Sequence, residues 1–352
     1  MLRQGLAALA AASALALAGC SVDASTVIDH SVVSVGIDVP YTGVGPASPD
    51  ATVADLAVGA ATLTGFSYVD AQGRSVPDTG FGRMRVVSED PFVVRYTVAD
   101  GLAWSDGVGI DGVDLMLDWV ARAHPYAGVR FGSLPDLALA GARSVTLSSD
   151  RKSLDIEFSS ETTRWNEAFR APLPAHAIAT RAFDSTSPEA AKDAVIEAID
   201  QARGGDVAAL ANLAGAWASA FELEGEVPPA SGPYAIVSAD AALVELETNA
   251  AYEGPRAATF AAIELRNLGS AAAAVQALSI GEIDIVQVTP SDPMRTVLGR
   301  ISADRRMLGP TDAPTVMVGW FHRDIDHIEP GPPELGALWN PWAWAPYVPP
   351  EI

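Results

Sequence analysis

The chain has 352 residues, 49% hydrophobic and 19% charged, a balance that supports a buried core and excludes intrinsic disorder. Forty-four acidic against 22 basic residues give a formal charge of −22, which excludes a nucleic-acid binder, since such a surface must neutralise phosphates. A single cysteine leaves no disulfide framework and no thiolate metal site.

Residues 1–20 read as a lipoprotein signal peptide. Arg3 supplies a positive charge, the apolar run from Gly5 to Ala18 is too short to span a bilayer, and small residues lead into Cys20. Cleavage there makes Cys20 the lipid-modified N-terminus of a chain of about 330 residues, a length that suggests two domains. Two or more acyl chains hold a protein stably at a membrane, so the expected location is the outer face of the cytoplasmic membrane. Lysine is confined to Lys152 and Lys192, a bias expected of a GC-rich genome.

Residues 21–29 form a polar tether. Alternation around Val33, Val35 and Ile37 predicts a first strand over 30–39, which breaks at Pro40 into a loop through Gly45-Pro46. Residues 86–98 predict a hairpin turning at Glu89-Asp90-Pro91, and 145–158 repeat the pattern around Ser149-Asp150-Arg151. Between them, Trp104-Ser105-Asp106-Gly107 reads as a strand end breaking into a turn. Asp111 then precedes Asp114 by three positions and opens the apolar run Leu115, Leu117, Trp119, Val120, which predicts an N-cap with an acidic partner in the first helical turn. Residues 188–221 turn helical, with Gly204-Gly205 ending one helix and Asp206 capping another. Strands follow over 243–247 and 260–266. Ser270 caps a helix over 271–278, Gly281 ends it, and a strand covers 283–288. Hairpins followed by strand-helix-strand order predict a mixed α/β sheet.

Catalytic signals are sparse. The chain has no G-x-S-x-G elbow, no phosphate loop and no H-E-x-x-H, so no enzyme activity is expected and no cofactor is implied. His322 and His327 are five positions apart and do not share a helix face, which argues against a metal site in that run. His176, between Pro174 and Ile178, reads as a packed or capping histidine rather than a base.

Further short segments stand out along the chain. They are Phe66-Ser67-Tyr68 with Asp70, Gly73 and Pro77; Leu173-Pro174-Ala175-His176; Ser231-Gly232-Pro233-Tyr234; Asn249 with Tyr252; and Gly281-Glu282-Ile283-Asp284-Ile285. With Trp104, Ser105, Asp106, Gly107, Asp114 and Leu115, these resemble the bacterial extracellular solute-binding proteins of family 5, the oligopeptide/dipeptide-binding components of ABC importers. The pattern departs at Gly109 and Ala250, where the family has proline, at Asp111, where it has a capping threonine, and after Tyr252, where tryptophan is absent.

The resemblance, which extends over residues 30–322, implies an α/β chain of periplasmic-binding-protein-like type II architecture, a mixed-sheet lobe with an extra α+β subdomain. It implies a cleft that closes on a peptide by hinge motion, with the extended peptide held by main-chain hydrogen bonds. The implied partners are a peptide ligand and ABC permease subunits with their ATPase, around a monomeric, membrane-anchored capture subunit. By that pattern, residues 30–60 and 171–322 form the first lobe and 61–170 the extra subdomain, while the second lobe has no counterpart. Tyr41 and Thr42, after the first strand, are expected to line the cleft, with Phe66 and Trp165 as further candidates. Trp104, Ser105, Asp106, Gly107, Asp114, Gly232, Pro233, Tyr234, Gly281, Glu282 and Asp284 are expected to be structural. The family's acidic partner for a ligand's amino terminus lies in the second lobe, so no residue is nominated for it. Half a cleft predicts weak or no peptide binding. A related ligand class, such as a nickel chelate or an oligosaccharide, is an alternative.

Residues 323–352 stand apart. Seven prolines and three tryptophans crowd the last 25 residues, a density incompatible with helix or inner strand. One reading is a proline-rich tail of extended structure, serving as a docking segment of an interaction lipoprotein that binds no solute. The other, favoured by composition, is out-of-frame translation after a frame change near residues 324–329.

Overall fold

A computed structural model describes residues 27–288, except 70–73, 223–225, 257 and 259, together with residue 291 and the backbone of 307–308 and 316–319. The signal peptide, Cys20, most of the tether, the His322–His327 run and residues 323–352 lie outside the described residues.

Nineteen α-helices and β-strands follow in order among the described residues. The first are β1 (Ile28–Ile37), α1 (Val53–Thr62), β2 (Ser67–Val69), β3 (Ser75–Pro77), β4 (Gly82–Glu89), β5 (Phe92–Val98) and α2 (Gly112–Ala123). Then come β6 (Ala142–Leu147), β7 (Ser153–Phe158), α3 (Ala175–Phe183), α4 (Pro188–Arg203) and α5 (Ala208–Ala218). The remainder are β8 (Tyr234–Ala239), β9 (Leu243–Thr248), β10 (Phe260–Asn267), α6 (Ala271–Ile280), β11 (Ile285–Val288), β12 (Met307–Leu308) and β13 (Val316–Gly319).

Three sheets result. The largest has seven strands in the order β12-β13-β11-β1-β10-β9-β8. β1 lies at its centre, parallel to β10 on one side and to β11 on the other, and the outer pairings are antiparallel. The alternation that predicted β1 sorts its faces: Val33, Val35 and Ile37 are buried in one core with Ala54, Ala57 and Val58 of α1. Gly36 faces the other way, where the ends of the Ile283 and Leu268 side chains pack directly against its backbone. α6 builds a separate apolar cluster there, with Ala274, Leu278, Ile283 and Val286 buried together.

β4-β5-β7-β6 form a four-stranded antiparallel sheet, and β2-β3 a two-stranded ribbon. Both predicted hairpins lie within the four-stranded sheet. α2 is buried along most of its length, and its core joins Val94, Tyr96 and Ile156 of that sheet to Val195 of α4 and Leu213 of α5. Residues 175–218, grouped in sequence with the first lobe, therefore share their core with the four-stranded sheet.

Helix ends follow local chemistry. Asp111 caps α2 by accepting from Val113 N–H at 2.8 Å, and Asp114 reaches back to accept from Asp111 N–H at 2.9 Å, completing a capping box. Thr52 and Asp55 do the same for α1. Ser270 caps α6 through Ala273 N–H, and Gly281 closes it in the left-handed region at φ 77°.

Candidate functional site

Three of the signature segments, scattered in sequence, meet at one joint. Ser105 N–H donates to Ala230 O at 2.8 Å, and Ser105 Oγ accepts from Ala230 N–H at 2.9 Å. Asp106 Oδ2 lies 2.8 Å from His176 Nε2, while Oδ1 accepts from Val108 N–H and holds the turn in which Gly107 sits at φ 85°. Trp104 is fully buried, its ring 6.4 Å from that of His176. His176 is thus a packed histidine.

Asp114 carries the joint into the core. Its carboxylate, 0% exposed, accepts from Asp111 N–H, from Ala175 N–H at 2.8 Å and from Lys192 Nζ at 3.2 Å. Burial pushes its pKa above the usual carboxylate range, and the Lys192 ammonium opposes that rise. Lys192, 5% exposed, also donates to Gly109 O at 2.7 Å and pairs with Asp111 at 3.1 Å.

The later segments are joints as well. Gly232 N–H donates to Thr62 O, and a Cβ there would lie 2.7 Å from Ala61 O. Pro233 O accepts from Asn249 N–H, and the Tyr234 hydroxyl donates to Phe260 O at 3.2 Å. Asp284 Oδ2 accepts from both Ser34 N–H and Ser34 Oγ at 2.8 Å, fastening the start of β11 to β1. Glu282 is exposed, and its N–H donates to Ala277 O behind α6.

The four expected cleft residues are not gathered into one cavity. Tyr41 is 3% exposed, in the core between α1 and the large sheet, where burial, reinforced by Asp55, raises its pKa. Thr42 is exposed, but its N–H and hydroxyl both donate to Asp55, at 2.9 and 2.8 Å. Phe66 is 1% exposed and stacks edge-on against Phe81 at 5.0 Å and Tyr96 at 5.7 Å. Trp165 is half-buried, and its carbonyl accepts the Tyr96 hydroxyl at 2.7 Å. Thr42 and Asp55 nevertheless matter, because together they fix the loop that leaves β1. Asp55 also accepts from Gly43 N–H and from the N–H and hydroxyl of Thr52.

Past that clamp the loop reaches Pro46, which borders three adjoining cavities. The first, about 210 Å³, lies between the loop and an apolar wall of Phe131, Leu173 and Trp217. The Phe131 and Trp217 rings meet edge-to-face at 6.0 Å. The second, about 320 Å³, is bounded by Ala47, Leu134 and Leu137 and rimmed by Arg122, Arg164 and Arg170. The third, about 170 Å³, runs between Arg170, Tyr68 and Arg256. Asp136 pairs with Arg122 at 3.2 Å, and Glu167 is shared by Arg164 at 2.8 Å and Arg170 at 3.3 Å. These cavities open beside the loop that leaves the carboxyl end of β1, where open α/β sheets take ligands. Sequence reasoning missed Phe131 and Arg170, which lie outside any periodic or motif-bearing segment, and Trp217, which lies on a helix so apolar that no one face stands out. A separate cavity of about 420 Å³ adjoins Asp106, His176 and Arg181.

Among the described residues, no group of three or more His, Cys, Asp or Glu side chains is arranged to hold a metal ion. No helix among them is long and apolar enough to cross a membrane.

No family model matches the sequence. An uncharacterized lipoprotein of Mycobacterium tuberculosis (strain ATCC 25618 / H37Rv) is 29% identical over 271 residues, covering 72% of this chain and 44% of that protein. An uncharacterized lipoprotein of Mycobacterium leprae is 31% identical over 271 residues, with the same shares covered. The chain thus spans less than half the length of the curated relatives it matches. Among solved structures, it is similar to the periplasmic EDTA-binding protein EppA, at 18% identity and TM-score 0.61, covering 78% of this chain and 47% of that one. The oligopeptide-binding protein AppA of Bacillus subtilis, in complex with a nonapeptide, matches at 14% identity and TM-score 0.55, covering 78% and 47%. NikZ of Campylobacter jejuni, in complex with Ni(L-His), matches at 16% identity and TM-score 0.55, covering 78% and 46%. The described chain has the mixed α/β fold of these periplasmic binding proteins.

Proposed function

We propose that the chain is the capture component of an ABC importer, lipid-anchored at Cys20 on the outer face of the cytoplasmic membrane, which binds peptides and passes them to a permease. The observation that carries this reading is the cluster of three cavities around Pro46, beside the loop leaving the carboxyl end of the central parallel strand. Two further findings support it: the fold is that of binding proteins for peptides and chelates, and the mycobacterial relatives are named lipoproteins. The function requires no bond to be made or broken. The chain supplies shape, apolar contact and hydrogen bonds, and the importer's ATPase supplies the energy.

Isothermal titration of the 352-residue chain with unmodified peptides of two to five residues tests this. The expected dissociation constant is about 1 mM, or about −4 kcal/mol. Absence of saturable binding at roughly ten times that concentration contradicts the reading.

A further inference from the structure

A cavity of about 420 Å³ lies away from Pro46 and shares no lining residue with the three cavities there. Its volume falls within the roughly 300–1,000 Å³ of small-ligand sites. It opens between the last turn of α3 and a wall made by Ala220 and residues 226–229.

One arginine fixes this frame. Arg181 Nη1 donates to Ser219 O and Nη2 to Glu226 O, both at 2.6 Å. The guanidinium thereby ties α3 to the end of α5 and to the 226–229 segment, and its fork is taken up by backbone. Pro228 and Pro229 stiffen that segment. Ile178, 2% exposed, and Ala220, 1% exposed, give the cavity an apolar wall.

The charged part of the lining is mostly acidic. Asp106, Asp184 and Glu226 bring three carboxyl groups against the one guanidinium of Arg181. Asp106 is committed to Val108 N–H and to His176. Asp184 and Glu226 are exposed, and no described residue forms a hydrogen bond or ion pair with either carboxylate. Asp184 is the C-cap of α3, in the left-handed region at φ 51°. The carboxyl end of a helix carries partial negative charge and favours a cation, yet here it meets a second negative group. Arg181, the basic residue of that turn, is drawn aside to the Ser219 and Glu226 carbonyls.

His176, 5% exposed, also lines the cavity. Its Nε2 lies against Asp106, and its Nδ1 is buried with no hydrogen-bond partner. With the ring proton on Nε2 facing that carboxylate, Nδ1 is an unused acceptor.

Excess carboxylate, a helix carboxyl end and an apolar wall together select a positive group on a hydrocarbon stem. We propose that this cavity is a second ligand site, which takes an organic cation with its ammonium or guanidinium against Asp184 and Glu226 and its stem along Ile178 and Pro228. A free polyamine and a lysine or arginine side chain share this chemistry. The site stands independently of solute capture beside Pro46.

Titration calorimetry of the 352-residue chain with 1,5-diaminopentane, N-acetyl-lysine methylamide and the neutral 1,5-pentanediol tests this. The cations are expected to saturate below about 10 mM, and the diol to bind at least about tenfold more weakly. Asp184→Asn and Glu226→Gln should each weaken the cations about threefold, as exposed charge pairs do, and about tenfold together. Their urea midpoints should match the parent, since both side chains are exposed. Glu253→Gln removes an exposed carboxylate outside this lining and should leave the affinity unchanged. Tighter binding of the diamine than of the lysine derivative identifies a free polyamine as the source; the reverse identifies a basic side chain. The proposal is overturned if neither cation saturates by about 10 mM, or if the diol binds as well as the diamine. It is equally overturned if the double variant binds like the parent. A loss at Glu253→Gln as large as at Glu226→Gln also overturns it, because general attraction to a chain of charge −22 then accounts for the binding.

Discussion

Asp114→Ala is expected to lower the unfolding free energy by about 3–5 kcal/mol, the range found when one partner of a buried ion pair is removed. Asp114 accepts three hydrogen bonds at a fully buried position: one closes the capping box of α2, one holds the first turn of α3, and one receives Lys192 from α4. Alanine leaves the Lys192 ammonium with Asp111 as its one charged partner beside the Gly109 carbonyl, and strands two backbone donors. Urea denaturation measures the loss. The double variant Asp114→Ala with Lys192→Met should recover a good part of it, because no ammonium then stays buried beside the gap. A single-variant loss below about 1 kcal/mol, within the range of an ordinary surface change, would mean that the joint does not hold these three helices together.

Asp118 predicts a pH dependence of opposite sign to the usual carboxylate. It lies fully buried on α2, and neither of its carboxylate oxygens has a hydrogen-bond partner. Burial, reinforced by Asp136 and opposed by Arg122, pushes its pKa up to about 7. An unfolded chain returns it to about 3.9. The native state therefore binds this proton more tightly than the unfolded state. The resulting stabilisation is complete below the unfolded value and is lost as pH rises through 7. A proton held that much more tightly in the folded protein contributes about 4 kcal/mol. Asp118→Asn mimics the protonated side chain, so the variant and the parent should be equally stable near pH 4. The variant should gain steadily between pH 4 and 7, and hold a lead of about 4 kcal/mol above that. Urea midpoints measured across this pH range check the slope. A difference that does not change with pH would show that Asp118 stays ionised in the folded protein.

Much of the fold is legible where local chemistry and tertiary demand agree. β1 shows in its alternation, α2 in Asp111 and Asp114, and α6 in Ser270 and Gly281. α1 gives little signal because its sequence, VADLAVGAAT, has almost no polar face: seven of its ten residues are buried, which hides the 3.6-residue period. α3 begins after Pro174 without a side-chain cap and so lacks a start signal. The signature residues are recognisable as signature, but their contacts are not. Nothing local couples Ser105 to Ala230, or Asp106 to His176; the fold alone brings them together. The cavity residues illustrate the same limit. Phe131 lies in a loop without periodicity, Arg170 in an irregular stretch and Trp217 on an apolar helix, and they become neighbours only through packing. Tyr41 and Phe66 are aromatics near strand ends, a position that serves a core as well as a cleft.

Amide hydrogen exchange of the 352-residue chain, with and without saturating peptide, locates the bound solute. If solute is taken beside the loop that leaves β1, added protection should fall on the amides of 43–45, 47 and 48, on Phe131 and Gly132, and on Trp217 and Ala218. Protection confined to the cavity beside Asp106, His176 and Arg181, or exchange unchanged by a peptide that binds, would contradict it.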